Sequence, residues 1–194
     1  MKKFLTVVML LLLLCSCKKD KPEETEIPEY TFEIQSEKVD MSGYEGVTST
    51  KHNFRLIKLS EVFRTIDEGS SGVFFLGRTN CGCCQEVTRI LNEAAIESDV
   101  TIYYIDPYDE DFNLVSDTEV RERTLNYLYD ILGENEEGNK DLMTPHVFTV
   151  INGHFGDSQV CFDYMKVDNY DPDKKAEALK SRYLEMLEPF KNQK

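Results

Sequence analysis

"GRTNCGCCQEV", residues 77–87, places Cys81, Cys83 and Cys84, three of the six cysteines of this 194-residue chain, within a single turn. A continuous apolar run, "VFFLG" at 73–77, precedes the turn and reads as a central strand covered on both faces. A helical pattern follows from about Cys84 to Glu97, with Val87, Ile90, Leu91, Ala94 and Ala95 on its buried stripe. Thiols crowded at a strand-to-helix turn suit a metal clip, a redox pair with a spare thiol, or a structural staple. The compartment and the surrounding fold decide between them.

The compartment is written at the front of the chain. Lys2 and Lys3 precede an apolar run from Phe4 to Leu14, which has the length of a signal peptide and is too short to span a bilayer. Leu14-Cys15-Ser16-Cys17 resembles a bacterial lipobox, with a small residue before the cysteine that is modified. The resemblance implies cleavage before Cys17 and lipidation of its thiol. Bulky Leu14 disfavours Cys15 for the same role. Attachment by more than one acyl chain is stable where a single chain is marginal. Loss of Lys2 and Lys3 takes the formal charge from −14 to −16. So acidic a surface argues against nucleic acid and against anionic headgroups as partners. Residues 1–16 are therefore expected to be a signal peptide. Residues 17–30 are expected to be a tether, because "KKDKPEETEIPEY" at 18–30 is charged and holds few large apolar side chains.

Residues 31–53 read as an N-terminal extension and 54–194 as one domain. In the extension, Tyr30 to Val39 alternates weakly and suggests a strand, and Met41 to Asn53 reads as loop. Phe54–Ile57 is a short strand, and Ser60 is placed to cap a helix carrying Val62, Phe63 and Ile66. "VTIYYID" at 100–106 is a second buried strand, and Thr118 to Leu132 is helical with Leu125, Leu128 and Leu132 on one side. A polar loop, 133–141, leads to "HVFTVI" at 146–151, and Asn152-Gly153 is a strong hairpin signal before "FGDSQVCF". Ala176, Leu179, Tyr183, Leu187 and Phe190 mark a last helix, preceded by Pro172 and Asp173. The order predicts an α/β fold with a mixed central sheet, helices on both faces, and a C-terminal β-hairpin and helix.

Strand, C-x-x-C turn, helix, strand, helix, Thr144-Pro145, strand, hairpin and helix, in that order over about 54–192, resemble the thioredoxin-like fold. A lone C-x-x-C is weak; in this context it is specific. The resemblance implies that Cys81 is the attacking thiol and Cys84 the resolving one. It also implies that Pro145 is cis and that, with Thr144, it sets backbone against Cys81 to hold an extended substrate. The chemistry suits the geometry. Thiolate is the nucleophile, and N–H groups converging at a helix start favour the anion. A second cysteine one helical turn on can resolve a mixed disulfide.

Departures from the family pattern stand at two positions. Asn80 replaces the frequent tryptophan before the first cysteine, and Phe75 takes the place of a buried acid, so the family's proton relay is expected to be missing. Cys83 is the spare thiol: a bystander, a competing resolver or a ligand. Cys161 reads as a packed strand residue or as a partner for Cys83. Arg78 either adds positive potential beside Cys81 or is a solvated loop residue, and the second is expected. Asp106, Asp109, Glu110 and Asp111 read as a solvated loop. Cys81, Cys83 and Cys84 could instead bind a soft ion such as Cu(I), with His146 approaching, whereas His52 and His154 read as loop residues. No spacing suits a closed zinc site, and no metal is expected.

The resemblance thus implies a membrane-anchored, extracytoplasmic thiol–disulfide oxidoreductase acting on thiols or disulfides of exported proteins. Its redox-active disulfide, Cys81–Cys84, would need no other cofactor, and a redox partner would have to restore it. The rivals are a thioredoxin-fold lipoprotein that binds or assists export without catalysis, and a cysteine-based copper carrier.

Overall fold

The computed structural model describes residues 32–47, 51–107, 118–134, 137–160 and 171–191, all within one compact unit, Phe32–Lys194. The expected signal peptide and tether, Cys17, the acids Asp109 to Asp111, and Cys161 lie outside the described residues. In chain order the elements are β1 (Glu37–Lys38), β2 (Phe54–Leu56), α1 (Leu59–Asp67), β3 (Gly72–Leu76), α2 (Gly82–Ser98) and β4 (Ile102–Ile105). They continue with α3 (Thr118–Leu128), β5 (Gly133–Glu134), β6 (Lys140–Asp141), β7 (His146–Ile151), β8 (His154–Val160) and α4 (Pro172–Leu187). Short 3₁₀ turns, Tyr129–Ile131 and Glu188–Phe190, extend α3 and α4. No helix among the described residues is long and apolar enough to cross a membrane.

Six strands make one sheet in the order β1-β2-β4-β3-β7-β8. β2, β4 and β3 run parallel, and β7 pairs antiparallel with β3 and β8 with β7. Strands that run parallel need a crossover, and α1 and α2 supply it on either side of β3. Side chains on β3 then alternate between two cores. Val73 and Phe75 join α2 and α4 on one face, while Phe74 and Leu76 join α1 and α3 on the other. This is the thioredoxin-like α/β fold, with helices on both faces and a terminal hairpin and helix. The hairpin turns at Asn152 and Gly153 with φ of 51° and 77°, the left-handed pair that a two-residue turn between twisted strands requires.

Several local expectations are corrected. Among the described residues of the stretch expected as a strand, 32–39, only Glu37–Lys38 is one. Upstream, α1 takes the backbone groups: Arg64 Nη2 donates to the Glu33 carbonyl at 2.6 Å, and the Gln35 N–H donates to Glu61 Oε2 at 2.9 Å. Helix α1 is capped by Lys58, whose side chain makes no cap bond, and Ser60 lies inside its first turn. Starting two residues earlier puts Leu59 into the core. On α3 the inward positions are Thr124 and Leu128, and Leu125 is exposed. The phase is held by Arg123 and Tyr127, which both bond Asp67 on α1. The 133–141 loop closes as a β5–β6 ribbon. His154 is the exposed first residue of β8. Pro172 and Asp173 lie in the first turn of α4, and Asp171 caps it by accepting the Asp173 and Lys174 N–H groups.

Residues 39–47, read as the end of a weak strand and a loop, pack on the sheet face that α2 covers. Met41, Tyr44 and Val47 are buried there with Cys84, Val87 and Leu91. Gln85 clamps this segment to α2: its side-chain oxygen accepts the Glu45 N–H at 2.7 Å and its amide donates to the carbonyls of Gly43 and Thr79.

Candidate active site

Buried strand β3 delivers the chain to the turn. The Gly77 N–H donates to the Ile105 carbonyl at 3.0 Å, which extends the β3–β4 ladder past the last residue of β3. A Cβ at Gly77 would stand 2.4 Å from the Phe75 ring and 3.0 Å from the Tyr44 hydroxyl, so only glycine admits both. Arg78 is buried, contrary to the solvated position expected for it, and its Nε lies 3.5 Å from Asp106 Oδ1. Ion pairing explains how the guanidinium is tolerated below the surface. Thr79, Asn80 and Gly82 are exposed, so the turn presents itself to solvent.

Cys81 caps α2 with its sulfur. The Cys84 N–H donates to Cys81 Sγ at 3.3 Å, and the Gln85 N–H donates to the Cys81 carbonyl at 3.1 Å. An N-cap acceptor ordinarily satisfies a free N–H of the first turn; a sulfur there lies where a helix start favours negative charge. Cys81 is half-buried, Cys83 is half-buried one position before Cys84, and no disulfide joins the three to one another. Cys84 is fully buried. Burial pushes its thiol well above the ordinary range, and the hydrogen bond with the Cys81 thiol pushes the same way. Two donors oppose the shift: the Arg78 backbone N–H and the Thr144 hydroxyl both reach the Cys84 sulfur. Thr88 keeps its own hydroxyl on the Cys84 carbonyl at 2.5 Å.

Thr144 and Pro145, on which the resemblance put substrate binding, lie beside this pair. Their peptide bond is cis. The Cys81 thiol donates toward the Thr144 carbonyl at 3.8 Å. The Cys81 sulfur, the buried Cys84 sulfur and Thr144 thus lie together. The histidine candidates have partners of their own. His146 is buried on β7 with Nε2 2.7 Å from Ser158 Oγ, and His52 Nδ1 accepts the Phe54 N–H. No group of three or more His, Cys, Asp or Glu among the described residues is placed to hold a metal ion.

Two residues absent from the sequence reading border the site. Tyr44 and Tyr104 are buried, their rings meet edge to face, and the Tyr44 hydroxyl donates to the Tyr104 hydroxyl at 3.2 Å. Tyr104 in turn donates to the Gly77 carbonyl at 3.1 Å. Burial raises both phenols, Tyr104 to about 12, so both are neutral at physiological pH. Met41, Tyr44 and Val47 at every third position of an otherwise polar stretch were the available signal.

No family model matches the chain, and no curated protein does. Among solved structures, thioredoxin O2 from Arabidopsis thaliana in its oxidised state is similar at 16% identity and a TM-score of 0.40, over 73% of this chain and 96% of that one. A protein described as an oxidoreductase with a thioredoxin fold is similar at 16% identity and a TM-score of 0.36, over 63% of this chain and 93% of its own. The fold assignment rests on the strand order and directions above, not on these similarities.

Proposed function

We propose that the chain is a thiol–disulfide oxidoreductase that works through Cys81 and Cys84. The observation that carries this reading is the asymmetry of the pair: a half-exposed sulfur caps a helix and accepts the N–H of the residue whose own sulfur is fully buried. Acting as a reductant, the Cys81 thiolate attacks one sulfur of a substrate disulfide, forming a mixed disulfide and expelling the other substrate sulfur as thiolate. Cys84 then gives up its proton to solvent and attacks Cys81 Sγ. The Cys81–Cys84 bond forms and the second substrate thiolate leaves, so two electrons pass to the substrate. Run backwards, the same steps oxidise a dithiol. The Thr144 carbonyl borders the attacking sulfur and offers an acceptor to a bound extended segment. A partner of the opposite redox state must restore the pair, and no further cofactor takes part in these steps.

The lipobox-like Leu14 to Cys17 supports placing this chemistry outside the cytoplasm, on exported proteins, with the chain held to a bacterial membrane through lipid on Cys17. Fatty-acid labelling tests the anchor: the wild type takes up label and Cys17→Ser does not, whereas equal labelling moves the site or ends the idea. The exchange reading is tested by Cys84→Ser, which leaves attack intact and blocks escape. Reductant-sensitive adducts through Cys81 are expected with disulfide-bonded protein substrates. Should Cys83 resolve instead, adducts would accumulate only in Cys83→Ser, Cys84→Ser. No adduct in either variant favours a non-catalytic binding module.

A further inference from the structure

The peptide group between Gly77 and Arg78 is held at both ends. Its carbonyl accepts from the Tyr104 hydroxyl at 3.1 Å, and its N–H donates to the Cys84 sulfur. Tyr44 completes the run by donating to Tyr104 at 3.2 Å. Every donor in this series points the same way, from Tyr44 through Tyr104 and the peptide to the sulfur. Hydrogen bonds aligned head to tail polarise one another: an O–H placed on a carbonyl makes the N–H of that peptide a stronger donor. No carboxylate stands in the run. Phe75, paired opposite Tyr104 on the neighbouring strand, fills the adjoining place with a ring.

We propose that Tyr44 and Tyr104 are positioning residues for disulfide exchange: through the Gly77–Arg78 peptide they aim and strengthen the hydrogen bond that Cys84 receives on its sulfur. The inference rests on the exchange reading above. Its consequence falls on the second step alone. Cys84 must lose its proton before it attacks, and the negative charge then rests on a buried sulfur, where the polarised N–H is the donor that meets it. The first step, attack by Cys81, draws on a different donor, the Cys84 N–H. The titratable and charged groups around this cluster, among the described residues, are Cys81 on the same helix, Arg78 and Asp106 beyond β3 and β4, and the two phenols. Tyr44 enters from the N-terminal segment, so that segment becomes part of the redox machinery.

The two steps separate with an aromatic disulfide reagent on the reduced full chain in a Cys83→Ser background. Attack by Cys81 releases one aryl thiolate. Attack by Cys84 on Cys81 Sγ releases the second and leaves the Cys81–Cys84 bond, which peptide mass mapping verifies. For Tyr104→Phe the second release is expected to be roughly twofold to fivefold slower at each pH on the rising limb of its profile, with the first unchanged. Tyr44→Phe is expected to move the second release the same way by less, since it acts one bond further off. A purely structural role lowers melting temperature without displacing the pH–rate profile of the second step. Profiles of both variants that superimpose on the parent overturn the inference while the exchange reading stands. A parent that never gives a second release overturns both.

Discussion

Thr144 lies beside both sulfurs of the pair: its carbonyl oxygen is 3.8 Å from Cys81 Sγ, and its side chain acts to lower the Cys84 thiol against the larger effect of burial. One residue therefore borders the half-buried thiol of Cys81 with backbone and the buried thiol of Cys84 with its side chain. Thr144→Val keeps shape and backbone and removes only the hydroxyl. A hydrogen bond contributes about 0.5–1.5 kcal/mol net, so the Cys84 thiolate population at fixed pH should fall by roughly twofold to tenfold. The rate of Cys84 alkylation in a Cys81→Ser, Cys83→Ser background reads this directly. An unchanged rate would remove Thr144 from the site.

Alkylation should also rank the three thiols. Cys84 is fully buried and its thiol is pushed up, so it is expected to react last with iodoacetamide at neutral pH. Cys81, at the cap of α2, is expected to react first. Peptide mass mapping after brief exposure decides the order. Cys83 marked first would move the nucleophile to that residue.

Stability should depend on pH and on redox state together. A thiol whose folded value is raised holds its proton longer in the folded chain than in the unfolded one. That stabilisation is complete below the unfolded value of ~8.5 and declines as pH rises above it toward the raised folded value. Oxidation removes the Cys84 thiol and with it this decline. Between pH ~8 and ~10 the stability of the reduced protein should fall more steeply than that of the oxidised one, by at most ~1.4 kcal/mol per pH unit for one proton, with the melting temperatures diverging accordingly. Above ~10 both forms should fall, because Tyr44 and Tyr104 are raised as well. Parallel curves from pH 8 to 10 would contradict the burial of Cys84.

The N-terminal segment should behave as part of the domain. Removing residues 1–31 leaves the compact unit whole, and the melting temperature should stay within a few degrees. Removing 1–47 takes away Met41, Tyr44 and Val47, which are 0%, 1% and 5% exposed. Burial of a side chain the size of Met41 or Val47 stabilises by ~1.5–3 kcal/mol, so the shorter chain should melt far lower or fail to fold. Equal melting of the two truncations would count against the packing of this segment on α2.

The fold was legible because its signals are local. The buried run of β3, the thiol turn, Asn152-Gly153 and the apolar stripe of α2 each announce themselves within a few residues, and their order restricts the topology. That Cys81 and Cys84 meet at the start of α2 was legible for the same reason. What the sequence did not yield depends on contacts between distant segments. Arg78 is buried because Asp106, at the end of another strand, meets it. The Tyr44 hydroxyl has a role only because β4 places Tyr104 against it. Leu125 has helical spacing but faces out, since Asp67 on α1 fixes the rotation of α3 through Arg123 and Tyr127. Ser60 is a good cap residue overruled by the need to bury Leu59.

The most direct test of disulfide exchange is equilibration of the full chain in buffers of reduced and oxidised glutathione, acid quenching, and mass mapping of the joined cysteines. The expected result is a single intramolecular link, Cys81–Cys84, whose fraction follows the square of reduced glutathione over oxidised glutathione, as a two-electron couple requires. A dominant link through Cys83, or no link between these cysteines at any ratio, would contradict it.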